Sequence, residues 1–141
     1  MREFTLIMLI ITFVVYSLNI TGFSYKKFVL VESCLKDEPI DIVFWVAYGI
    51  SLFLFIIAPD IGKYAIFMFM LLGMCVQSYF TFRYFFHPDL KKIKGYNKCF
   101  ERTHHIIPPS EKRLIPDTYH IVIFILLMVN FLNSFICLFI F

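Results

Sequence analysis

Charge is scarce in this chain, and where it is missing matters more than how little there is. Only 16% of the 141 residues are Asp, Glu, Lys or Arg. All ten acids fall at the ends of long apolar runs or in the connections between them. With no carboxylate inside a run, nothing is placed to relay protons across a bilayer, which argues against a proton-driven pump. Acid–base catalysis would also want carboxylates in a desolvated pocket. No serine stands in a GxSxG setting and no glycine-rich loop is present to cradle a phosphate. The cysteines Cys34, Cys75, Cys99 and Cys137 form no CxxC and no close pair, unlike a secreted disulfide scaffold. Helix-turn-helix, RNA-binding and zinc-finger signatures are all missing, so nucleic acid is not an expected partner. No repeat or low-complexity stretch occurs, and no cofactor is expected.

What fills the chain instead is apolar. Sixty per cent of the residues are hydrophobic and the mean hydropathy is +0.81. A soluble fold of this size could not bury so much apolar surface. The residues also fall in uninterrupted runs matched to a hydrocarbon core about 30 Å thick. These features predict an all-α integral membrane protein with four transmembrane helices spanning 4–25, 42–59, 64–82 and 118–141. A single membrane domain, 1–141, is expected. Arg2 ahead of the first run raises a signal peptide. The apolar core is long, however, and Ser17-Leu18-Asn19 is a poor cleavage site, so a retained span is expected. Pro59-Asp60-Ile61-Gly62-Lys63 reads as a compact reversal, making the second and third spans a central antiparallel hairpin in an up-and-down bundle.

Each span carries a polar or small stripe. Thr5, Thr12, Tyr16 and Asn19 share a face of the first span, and Gly73, Gln77 and Thr81 share one of the third. Asn130, Asn133, Ser134 and Cys137 share one of the fourth. Such groups avoid lipid tails and bond across helices or line a conduit, so Thr12, Tyr16, Asn19, Gln77, Asn130, Asn133 and Ser134 are the candidate contacts. Trp45 and Tyr48, near the start of the second span, suit the headgroup layer. Met68, Met70 and Met74 read as adaptable packing rather than a soft-metal path.

The connections at 26–41 and 83–117 hold eleven of the thirteen Lys and Arg residues, against Arg2 and Lys63 on the other side. That asymmetry predicts both connections in the cytoplasm and both termini outside a cell membrane. Phe28 to Val31 reads as a short strand or an interfacial piece, and Pro39, Asp37, Glu38 and Asp41 suit a helix start. The 83–117 segment is expected to be a surface-lying element followed by an extended tether. Asp117 or Thr118 is expected to cap the fourth span. Arg83, Lys91, Lys92, Lys94, Lys98 and Arg102 are candidate contacts for anionic phospholipid or for a partner. Cys34 and Cys99 would share the cytosolic face as reduced thiols.

Cys99, His104 and His105 carry ligand chemistry, yet adjacent histidines do not readily face one metal, and solvated side chains are the expectation. Three functional classes remain. The first is an accessory subunit or immunity-type protein that associates with itself or with a larger membrane protein. The second is an oligomeric pore lined by the span amides. The third is an enzyme acting on lipid headgroups through His87, Asp89, His104 and His105.

Overall fold

The computed structural model describes residues 2–33 and 39–140. Cys34, Lys36, Asp37 and Glu38 lie outside the described residues, and with them the expectations attached to those positions. The chain is mostly helical: α1 (Arg2–Thr21), α2 (Pro39–Ile57), α3 (Pro59–Phe86), α4 (Leu90–Cys99) and α5 (Thr118–Ile140), with two short strands, β1 (Phe23–Tyr25) and β2 (Phe28–Val31). All but α4 are long and apolar enough to cross a membrane.

Helix ends correct three expected boundaries. α1 stops at Thr21 because Gly22 takes φ 74° and its N–H returns to the Leu18 carbonyl at 2.7 Å, a left-handed C-terminal cap. The last residues of the expected first span become β1 instead. β1 pairs antiparallel with β2 across Lys26 and Lys27, and Lys26 supplies the positive φ, 55°, that the tight turn requires. The second correction concerns the expected reversal at 59–63, which is the first turn of α3. The chain turns at Ala58 alone, and Pro59 opens α3 where its missing N–H costs nothing. Gly62 is therefore a packing residue: a Cβ there would lie 2.3 Å from the backbone N and Cα of Phe55. Third, α3 runs on past the expected end at Phe82 to Phe86, until His87-Pro88 stops it.

α1 packs on α2 and α5, and α3 packs on the same two helices. Neighbours run in opposite directions. Asn19 near the end of α1 meets Asp41 at the start of α2, while Thr5 near the start of α1 meets Cys137 near the end of α5. The main core joins Leu9, Tyr48, Leu52, Phe55, Ile66 and Met70. Tyr48 corrects another expectation. It is 1% exposed rather than at a boundary, and its hydroxyl donates to the Leu9 carbonyl at 2.8 Å.

One end of the helices is capped by the two longer connections, which touch. The His104 N–H donates to the Val29 carbonyl at 2.7 Å, and the Thr118 N–H to the His104 carbonyl at 2.9 Å. Asp89 starts α4 by accepting from the Lys91 and Lys92 N–H groups. The stretch after α4 packs back on the helices rather than forming the extended tether expected. Leu114 is buried with Tyr84 and Ile93, and Asn97 donates to the Ser110 carbonyl at 2.9 Å.

Candidate functional site

Two polar constructions stand out in this apolar molecule. The first is a seam between α1 and α5. Thr5, Leu9 and Thr12 recur at intervals of four and three, so they share one face of α1, and all three are fully buried. Asn130, Ser134 and Cys137 do the same on α5. Asn130 Nδ2 donates to Thr12 Oγ1 at 2.6 Å and to the Leu126 carbonyl at 2.9 Å. The Thr12 hydroxyl in turn donates to the Met8 carbonyl at 2.9 Å. Asn130 Oδ1 is buried without a partner among the described residues. Ser134 is buried and bonds back to the Phe131 carbonyl.

The other expected stripe residues scatter. Tyr16 packs against two core clusters. Asn19 donates to Asp41 Oδ2 at 2.7 Å at the capped end, joining α1 to α2 rather than to α5. Trp45 donates its indole N–H to Ser17 Oγ at 2.8 Å and stacks on Phe13. Gln77 is half-buried on α3, four residues beyond Gly73, whose site faces Leu127 of α5. Asn133 Nδ2 is buried without a partner among the described residues.

The second construction is at the capped end. Asp117 is 0% exposed and is the N-terminal cap of α5: its Oδ1 accepts from the His120 backbone N–H at 3.1 Å and from the His120 ring at Nδ1. Burial alone would raise the Asp117 carboxyl, but the His120 contacts outweigh it and hold the group below the usual carboxylate range. Tyr96 brings its hydroxyl to within 3.5 Å of His120 Nδ1 and 3.4 Å of the Asp117 N–H. Burial, with the Asp117 charge second, pushes the Tyr96 phenol well above its ordinary range. Phe100 closes over the imidazole edge-on, and Thr103 is buried alongside. Asp117 was legible as a helix cap. Its partner one turn on could have been found from the D-x-x-H spacing, whereas Tyr96 and Thr103 carry no sequence signal for this cluster.

The residues with ligand chemistry do not gather. Cys99 is exposed, His104 Nδ1 meets Thr118 Oγ1 at 2.7 Å, and His105 Nε2 meets the Phe100 carbonyl at 3.0 Å. No group of three or more potential metal ligands converges among the described residues.

The basic residues Arg83, Lys91, Lys92, Lys94, Lys98 and Arg102 are all exposed around this end. Ile93 turns inward, fully buried, so Lys91, Lys94 and Lys98 line the outer face of α4. Arg102 faces Glu32 of the first connection at 3.6 Å. Comparisons with family models, with curated proteins and with solved structures find no match to this chain.

Proposed function

We propose that the four long helices cross a cell membrane as an up-and-down bundle. The capped basic end faces the cytoplasm against anionic phospholipid, and both termini face outward. In that setting the protein acts by helix–helix association, as an accessory subunit or immunity-type protein of a larger membrane system. The observation that carries this reading is the Thr12–Asn130 bond at 2.6 Å between fully buried side chains. The strongest candidates for lining a conduit are spent joining the protein's own helices, which favours span amides as glue over the pore alternative.

Gln77 and Asn133 are left over from that internal pairing. An amide only half-buried in a span is costly, so Gln77, on the same α5-facing side of α3 as Gly73, marks the edge of that seam where a span of a second protein, or of a second copy, would dock. Gentle extraction of the full chain from native membranes should recover one stoichiometric membrane partner, and Gln77→Leu should abolish its recovery. Monomer throughout, or steady ionic conductance that Gln77→Leu leaves intact, would refute the association reading.

A headgroup-modifying enzyme is the second reading. The expected His87, Asp89, His104 and His105 favour it less than the buried Asp117 carboxylate holding the ring of the partly exposed His120. Such a pair could orient an imidazole as a general base. Turnover of phospholipid by the purified chain, lost in His120→Gln, would move this reading ahead.

A further inference from the structure

We propose that Arg83, Lys92 and Arg113 form a defined cradle for the phosphate-bearing headgroup of an anionic lipid, distinct from the diffuse positive face of α4. The three cations come from separate parts of the chain: the last turn of α3, the first turn of α4 and the run into α5. Aromatic rings bring them together. The Arg83 guanidinium lies 5.2 Å from the Tyr79 ring centre and 5.7 Å from that of Tyr84. Lys92 Nζ lies 5.5 Å from the same Tyr84 ring, and the Arg113 guanidinium 5.1 Å from the ring of the next residue, Phe85.

The floor of this arrangement is fixed. Tyr84 is only 8% exposed and is clamped by fully buried Ile93 and by Leu114. Of the neighbouring acids, Asp89 accepts from the N–H groups that open α4 while its charge also acts on Lys92, and Asp117 is buried against His120. Arg83 and Lys92 therefore share the Tyr84 ring, Arg113 stands over the adjoining Phe85, and none of the three is in a salt bridge among the described residues. Gathering like charges is unfavourable unless an anion joins them. Guanidinium forks match phosphate oxygens in two-point contacts, and Lys adds a point charge.

Position selects the source of the phosphate. Arg83 sits where the apolar run of α3 ends, amid Tyr79, Phe82, Phe85 and Phe86, the composition of a headgroup layer. A lipid phosphate is held at that height by its own acyl chains, whereas free phosphate would need affinity from the three cations alone. This inference rests on the membrane setting proposed above and names the lipid that its basic end takes.

The test uses the full chain purified in neutral detergent, with bound lipid counted by native mass spectrometry from mixtures of phosphatidylglycerol and phosphatidylcholine. The triple variant R83Q/K92Q/R113Q is compared with K91Q/K94Q/K98Q, which removes equal charge from the outer face of α4. The cradle variant should lose bound phosphatidylglycerol about tenfold and the control less than about twofold. Equal losses in the two variants, or none in the first, overturn the cradle. Inorganic phosphate that binds the lipid-free chain and displaces the lipid overturns the lipid assignment. R83K/R113K keeps every charge and removes only the forks, so it carries the test should the triple variant not fold. It should lose about threefold, and an unchanged lipid count refutes two-point recognition. Recovery of a membrane partner through the Gln77 surface is independent of these residues, so failure of the cradle and failure of the association reading are separable.

Discussion

The Thr12–Asn130 contact allows a sharp measurement, because the two partners should respond differently to removal. Thr12→Val takes away the acceptor 2.6 Å from Asn130 Nδ2, while leaving that amide its bond to Leu126. An interhelical side-chain bond in an apolar setting contributes about 0.6 kcal/mol on average and about 1.7 at most. The short distance and complete burial place this one in the upper half, so Thr12→Val should destabilise by about 1 kcal/mol. Asn130→Leu loses that bond together with the weaker ones to the Leu126 and Met8 carbonyls, but it also removes Oδ1, which is buried without a partner among the described residues. An orphaned buried acceptor costs roughly 1–3 kcal/mol. Asn130→Leu should therefore be neutral or slightly stabilising, and in its background Thr12→Val should cost almost nothing. Reversible unfolding in mixed micelles, followed by circular dichroism across the double-mutant cycle, reads the coupling directly. Additivity within about 0.3 kcal/mol would refute the bond as an energetic contact. Destabilisation by Asn130→Leu beyond about 2 kcal/mol would refute the claim that Oδ1 is an uncompensated burial.

Two glycines make opposite predictions. Gly62→Ala pushes a methyl into the Phe55 backbone and should cost at least the ~1–3 kcal/mol of ordinary overpacking, read as a lowered unfolding midpoint. Gly95→Ala meets nothing within 4 Å on α4 and should stabilise by about 0.5–1 kcal/mol. Because the Asp117 carboxyl is held below its unfolded range, the stability it contributes is complete above that range and is lost as pH falls through it into strong acid. An acid titration of the unfolding midpoint should accordingly be steeper in the wild type than in Asp117→Asn, and identical slopes would contradict the assignment. For the thiols, a water-soluble maleimide should modify exposed Cys99 in detergent and spare Cys137, which is 1% exposed. In intact cells, the proposed orientation requires Cys99 to be protected from an impermeant reagent until the membrane is opened.

Composition and run length alone determined that the chain would build four long apolar helices, because a span is a one-dimensional property: enough consecutive apolar residues and no charge. The start of α5 was equally legible, since Pro116-Asp117-Thr118 carries its own cap chemistry. Tertiary structure decided the rest, because partners far apart in sequence have no common local signal. Helical periodicity put Asn130, Ser134 and Cys137 on one face, but only packing chose Thr12 and Thr5 as what that face meets. Gly62 looked like a turn residue until α2 was seen lying against it. The hairpin after Gly22 was hidden because a lysine, not a glycine or asparagine, takes the left-handed turn position. Tyr48 could have served a headgroup layer or a core, and it was the Leu9 carbonyl, 39 positions away in the chain, that gave its hydroxyl a buried partner. The placement of Arg83, Lys92 and Arg113 follows the same rule. Sequence assigned them to one basic stretch, while the fold of the connection brought Arg83 and Lys92 to the Tyr84 ring and Arg113 to the adjoining Phe85.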